Sequence, residues 1–170
     1  MTTRALSLVA LLAPTVAGAQ NLAIPSVEAD PAILLGCLAS GKSTGTCLGA
    51  MTLDCTAENE IGNENLEERL CVDEELGVWR DLVRQAEGRV QFRIGQTPQS
   101  ERPALSGNPG RLAQETGRAW QDWVQKQCRL ERVAAGHSDR RAIIEDTCLR
   151  DLTAARYRRL LALDAILGGN

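Results

Sequence analysis

Six cysteines carry the most readily used chemistry in this chain: Cys37, Cys47, Cys55, Cys71, Cys128 and Cys148. A thiol can ligate a metal, attack a substrate or close a disulfide, and spacing discriminates among these. No pair stands in the C-x-x-C arrangement of zinc and thioredoxin-like sites, and the one histidine, His137, cannot complete a mixed ligand set. The even number therefore points to three disulfides and to no metal. Cys47 and Cys55 fall in what reads as one helix, where eight residues of rise separate them by about 12 Å, beyond disulfide reach. Cys128 lies eight residues before Gly136 and Cys148 twelve after it, so a reversal at that turn brings the two sulfurs level. The same argument across turns at Gly41 to Ser43 and at Gly62-Asn63 predicts Cys37 with Cys47 and Cys55 with Cys71.

Three further patterns could do chemistry in principle. Gly36-Cys37-Leu38-Ala39-Ser40-Gly41-Lys42-Ser43 matches the phosphate-loop pattern G-x-x-x-x-G-K-[ST]. A working loop of that kind follows a buried strand, opens a helix and needs a downstream acid for magnesium. Here the pattern encloses a cysteine destined for a disulfide and no strand–helix alternation surrounds it, so no nucleotide cofactor is expected. His137, Ser138 and Asp139 are adjacent, too close in sequence for a nucleophilic relay, and read instead as a turn with Ser138 as helix cap. Glu74, Glu75, Asp122 and Glu145 could approach across helices as the acid pair of a glycosidase, but sugar-cleaving clefts carry aromatic platforms. The three Trp, one Tyr and one Phe of this chain fall mostly on apolar faces. The expectation is a protein that is not an enzyme.

Helices must hold these residues. With a 3.6-residue period, Trp120, Trp123, Val124 and Cys128 share one face, and Ile144, Cys148, Leu152, Ala155, Leu160, Leu163 and Leu167 share another, which makes an antiparallel hairpin around Gly136. Upstream, Asp30-Pro31 reads as a helix start that stops at Gly41. Thr44 caps a predicted second helix through Cys47, Leu48, Met51 and Cys55. Asn65 with Glu68 resembles a capping box and opens a long helix striped by Val72, Leu76, Trp79, Val83 and Ala86, with Gly88 as its end. Residues 89–110, rich in Pro, Gly, Gln and Ser, read as a long loop with a short extended piece at Val90 to Ile94. A helix then begins near Arg111, and the last one, capped by Ser138, runs to Leu167. The fold class is all-α: a small disulfide-stapled bundle of four or five helices spanning residues 20–170 as one domain, with Trp79, Trp120 and Trp123 in a shared core.

Residues 1–19 have one basic residue (Arg4), an apolar run from Ala5 to Val16 and the small residues Ala17-Gly18-Ala19. This is expected to be a secretory signal peptide cleaved after Ala19, and Pro14 interrupts a run already too short for a membrane anchor. Periplasmic or secreted localisation follows, without stable membrane insertion once the leader is removed, and it agrees with the cysteine count. Charge is uneven. Residues 21–78 hold eleven acids against Lys42 and Arg69, a balance of −9, whereas residues 79–170 hold sixteen Lys and Arg against eleven acids, a balance of +5. The basic half has no continuous cluster with accompanying aromatics, so nucleic acid is not an expected partner.

Cys47-Leu48-Gly49 to Cys55, Cys71 with Glu75-Leu76 and Trp79, Arg118-Ala119-Trp120 with Cys128, and Cys148-Leu149 with Thr153-Ala154, Arg156 and Leu160 together resemble the LprI-like lysozyme-inhibitor N-terminal family. The resemblance covers roughly residues 37–163. Family members are small secreted or lipid-anchored helical domains, and the resemblance implies a protein partner, most specifically a lysozyme to be inhibited. A structural or assembly role in the cell envelope is the alternative. This chain departs from the family pattern after the first Trp, with Val83-Arg84 and Glu87 in place of Leu-Asn and Tyr. It departs again past the second, with Val124-Gln125 in place of Arg-Asp. If it inhibits, the expected contact is a loop entering the enzyme's acidic cleft. The turn His137-Ser138-Asp139 and the 89–110 stretch with Arg93 and Arg102 are the two candidates.

Overall fold

The structure, a computed structural model, describes residues 25–96 and 108–168. The expected leader at 1–19 and Arg102 lie outside the described residues. Among those described there are five helices of nine residues or more and one single turn, with no strand: α1 (Pro31–Ala39), α2 (Thr44–Cys47), α3 (Ala50–Glu58), α4 (Glu64–Gln96), α5 (Pro109–Ala134) and α6 (Arg141–Gly168). The all-α, disulfide-stapled class is therefore the observed one.

Local capping chemistry sets most of the starts. Asp30 accepts the Ala32 N–H at 2.8 Å with Pro31 at the first helical position, and Asn108 accepts from Gly110 and Arg111 ahead of α5, again with Pro following. Ser43 accepts from Thr46 to open α2. The start of α4 differs from the Asn65–Glu68 capping box: Asn63 is the cap, accepting the Leu66 N–H at 3.1 Å, and Asn65 and Glu68 turn instead toward Asp139 and Arg140. The helix expected from Thr44 through Cys55 is broken at Leu48-Gly49, where Gly49 takes φ +84°, a left-handed conformation that a side chain would resist. Cys47 and Cys55 therefore lie on two separate helices.

Two corrections concern length and face. Gly88 does not end α4, which runs on through Val90 and Ile94 to Gln96; neither the loop from 89 nor the extended piece exists there. A helical glycine costs about 1 kcal/mol relative to Ala. Burial of Val90 and the pairing of Arg89 and Arg93 with Asp164 on α6 offset that cost. On α6 the buried set is Ile143, Cys148, Leu149, Thr153, Ala154 and Leu160, one position round from the expected stripe; Ile144, Ala155, Leu163 and Leu167 are exposed. This helix packs on α4, α5 and the α2 turn at once, so a single-sided apolar stripe describes it poorly.

Ion pairs fix the directions. Arg69 meets Asp146 and Glu87 meets Arg156, so α4 and α6 run parallel and pack directly on each other, and α5, disulfide-linked to α6, returns antiparallel against it. Helices α1 and α3 pack against α4, and the α2 turn against α1 and α6. The disulfides join Cys37 to Cys47, Cys55 to Cys71 and Cys128 to Cys148. Three apolar clusters form the core, one around Trp79 with Leu34, Cys47 and Met51, a second around Leu76 with Val124 and the Cys128–Cys148 bridge, and a third of Val83, Ala86, Val90 and Leu160. The shared tryptophan core does not form. Trp79 is fully buried in the first cluster and Trp120 packs on the second, while Trp123, 51% exposed, points to solvent.

Candidate functional site

The α5–α6 turn, residues 135–140, is an exposed feature braced from below and from the side. Gly136 reverses the chain at φ +62°, and the Gly136 N–H bonds the Val133 carbonyl. One to two helical turns below it the Cys128–Cys148 bridge ties the two helices, with Cα atoms 5.4 Å apart. Arg132 adds a 2.7 Å contact to Glu145. The turn is then anchored sideways to the start of α4: Arg140 donates to both Glu68 oxygens at 2.7 and 2.8 Å and to Asn65, and Asn65 donates to Asp139 at 3.3 Å. Further down, Asp146 accepts from Arg69 at 2.8 Å, and this hydrogen bond with its charge raises the Arg69 guanidinium above its usual pKa.

What this bracing presents to solvent is cationic and apolar. His137 is exposed, as are Arg129 and Arg141, which carry no ion pair among the described residues. Leu130 (61%) and Val133 (69%) are exposed beside them. Arg129, Arg132, Val133, Gly136 and Arg141 line a shallow hollow at the tip together with Glu145, the partner of Arg132. Ser138 Oγ accepts the Arg140 N–H, and no hydrogen bond joins His137 to Ser138 or Asp139 among the described residues. The triplet is thus split: Ser138 and Asp139 fix the turn, and His137 is displayed by it.

The other residues singled out from the sequence lie elsewhere. Arg93 stands on helix α4, not in a loop, and is paired with Asp164 at 3.3 Å. It lies twenty-eight residues beyond Asn65 on the same helix, about 42 Å from the turn, so Arg93 and the turn stand at opposite ends of α4. Gly36 to Ser43 forms the end of α1, a turn at Gly41 and the cap of α2, stapled by Cys37–Cys47. Of the four carboxylates, Glu74 is exposed, Glu145 is paired with Arg132, and Asp122 borders a cleft between α4 and α5. That cleft, of 460 Å³, also gathers Val83, Arg84, Glu87, Val124 and Gln125, the positions at which the chain departs from the pattern it resembles. They are distant in sequence and adjacent in space.

Glu75 is the residue whose role sequence reasoning missed. Its carboxylate is fully buried and accepts four hydrogen bonds, from the Gly49 N–H (2.8 Å), the Trp79 indole N–H (2.9 Å), the Thr52 N–H (2.9 Å) and the Thr52 hydroxyl (2.7 Å). Arg150 closes the network by donating to the Thr52 hydroxyl at 3.2 Å. A carboxylate satisfied on both oxygens is a structural clamp: it seats the start of α3 on α4 and locks the Trp79 ring. The signal was present, because Glu75 stands at the buried spacing between Val72, Leu76 and Trp79.

Comparison with known proteins bears on the same residues. A family model for "Lysozyme inhibitor LprI" matches residues 55–160, which include the braced turn, the Glu75 carboxylate and two of the three disulfides. An uncharacterized 17.7 kDa protein in the puhA 5′ region of Rhodobacter capsulatus is 28% identical over 145 residues, 84% of this chain and 83% of that protein. No solved structure matches the chain. With well over half its length matched, the chain belongs to the LprI lysozyme inhibitor family.

Proposed function

We propose that the protein is a periplasmic or secreted lysozyme inhibitor that acts through the α5–α6 tip. The observation that carries this reading is a rigid, exposed, cationic turn lying wholly inside the matched family span. Lysozymes cleave with a pair of carboxylates in a cleft. A turn held by a disulfide and by bonds to α4 loses little conformational freedom on entering such a cleft, which favours tight binding. Arg129 and Arg141 supply charge complementary to those carboxylates, His137 offers an exposed ring N–H, and Leu130 and Val133 supply apolar contact. Three disulfides suit an oxidising compartment, and no described helix is long and apolar enough to cross a membrane. Arg93, already paired with Asp164 at the opposite end, is not part of this surface.

Clearing of a cell-wall suspension by lysozyme, followed by turbidity, tests the reading. Addition of the oxidised protein is expected to slow clearing in proportion to its molar ratio to the enzyme. Undiminished clearing at large molar excess would leave the envelope assembly role in its place.

A further inference from the structure

At the end of the bundle away from the tip, α4, α5 and α6 enclose a groove of 280 Å³ walled by Val90, Ile94, Leu112, Leu160 and Leu163. One end of it is polar. Glu87 precedes Val90 and Ile94 on α4, and Arg156 precedes Leu160 and Leu163 on α6, so this pair closes the groove toward the middle of the bundle. Ile166, near the end of α6, sits at the open end and is 75% exposed; Leu112 is 58% exposed. Apolar carbon is thus held at the water boundary around a preformed hollow.

Arg156 is unusual in its surroundings. Its side chain is 12% exposed, one terminal nitrogen (Nη2) donates to Glu87 Oε1 at 3.2 Å, and its guanidinium carbon lies 5.6 Å from the centre of the Trp120 ring. Its Nε is buried with no acceptor among the described residues. Buried N–H groups nearly always find partners, and one carboxylate oxygen cannot satisfy the five donors of a guanidinium. Apolar walls leading to an under-satisfied cation match one ligand chemistry, an alkyl chain with an anionic head.

We propose that this groove binds a single-chain anionic amphiphile, with the chain along α4 and α6 and the head group on Arg156. The site is remote from the tip and does not depend on the inhibitor reading. Calorimetric titration of the oxidised full chain with dodecanoate and with dodecyl phosphate, each below its micellar concentration, tests it; dodecyl maltoside and inorganic phosphate serve as comparison ligands. Saturable binding of one anionic ligand per chain is expected, about tenfold or more tighter than the neutral amphiphile, with no heat from phosphate alone. Arg156→Gln should remove that preference and leave neutral binding unchanged. Leu112→Glu, at an exposed position that does not threaten folding, should abolish binding of both while keeping the helical circular dichroism signal and lysozyme inhibition. Absence of saturation, equal affinity for neutral and anionic chains, or phosphate binding as tightly as the amphiphile would overturn the proposal. So would a dimer that Leu112→Glu dissociates, since the groove would then be filled by a second copy.

Discussion

Glu75 shows how one side chain can order two elements. Each of its oxygens receives two donors, three of the four being N–H groups, two of them buried with it. Glu75→Gln keeps the shape but turns an NH2 toward at least one of those N–H groups. We expect it to lower stability by about 1–3 kcal/mol, read as a shift of the urea midpoint with unchanged slope. A change within experimental error would mean that the carboxylate is not the clamp described. Periodicity placed Val72, Leu76 and Trp79 in the core and passed over the acid between them, because hydrophobic pattern reading assigns no buried role to a charge. Trp123 fails in the opposite sense: it shares the sequence face of Val124 and Cys128, yet its ring projects beyond the area that α4 and α6 cover.

Among the elements, legibility follows the strength of the local signal. Asp30-Pro31 marks α1, whereas the equivalent Asn108-Pro109 is submerged in a Pro- and Gly-rich stretch, and α5 starts at Pro109, two residues before the expected Arg111. Gly88 looked like a helix end because a lone glycine cannot reveal the tertiary pairing beyond it, here Arg89 and Arg93 with Asp164. Its position is helical and exposed, and a Cβ there would meet nothing within 4 Å. Gly88→Ala should therefore stabilise the protein by about 0.5–1 kcal/mol, measurable as a rise in urea midpoint. A loss of stability would show that the helix through residue 88 is wrong. The sequential disulfides were readable because level sulfurs across a turn are a matter of helical rise alone. Replacing both Cys128 and Cys148 by Ser should cost about 3 kcal/mol for a loop of this length. It should also weaken lysozyme inhibition more than the same pair of changes at Cys37 and Cys47, which lie away from the tip.

For the molecule as a whole, the ion pairs follow the charge division between the halves only in part. Arg140 with Glu68 and Arg69 with Asp146 do cross it, but Arg89, Arg93, Arg132, Arg150 and Arg156 pair within the basic half. Arg129 and Arg141 stand exposed at the tip, where the bundle ends in a turn tied down on two sides. The proposed inhibition is carried by this tip. The most direct measurement is the molar ratio giving half-inhibition of lysozyme for Arg129→Glu with Arg141→Glu, beside Arg93→Glu at the far end as reference. Reversal at the tip is predicted to raise that ratio about tenfold or more with helical content unchanged, and reversal at Arg93 to leave it where it was. Equal inhibition by the tip variant and the unaltered protein, or a loss confined to Arg93→Glu, would contradict it.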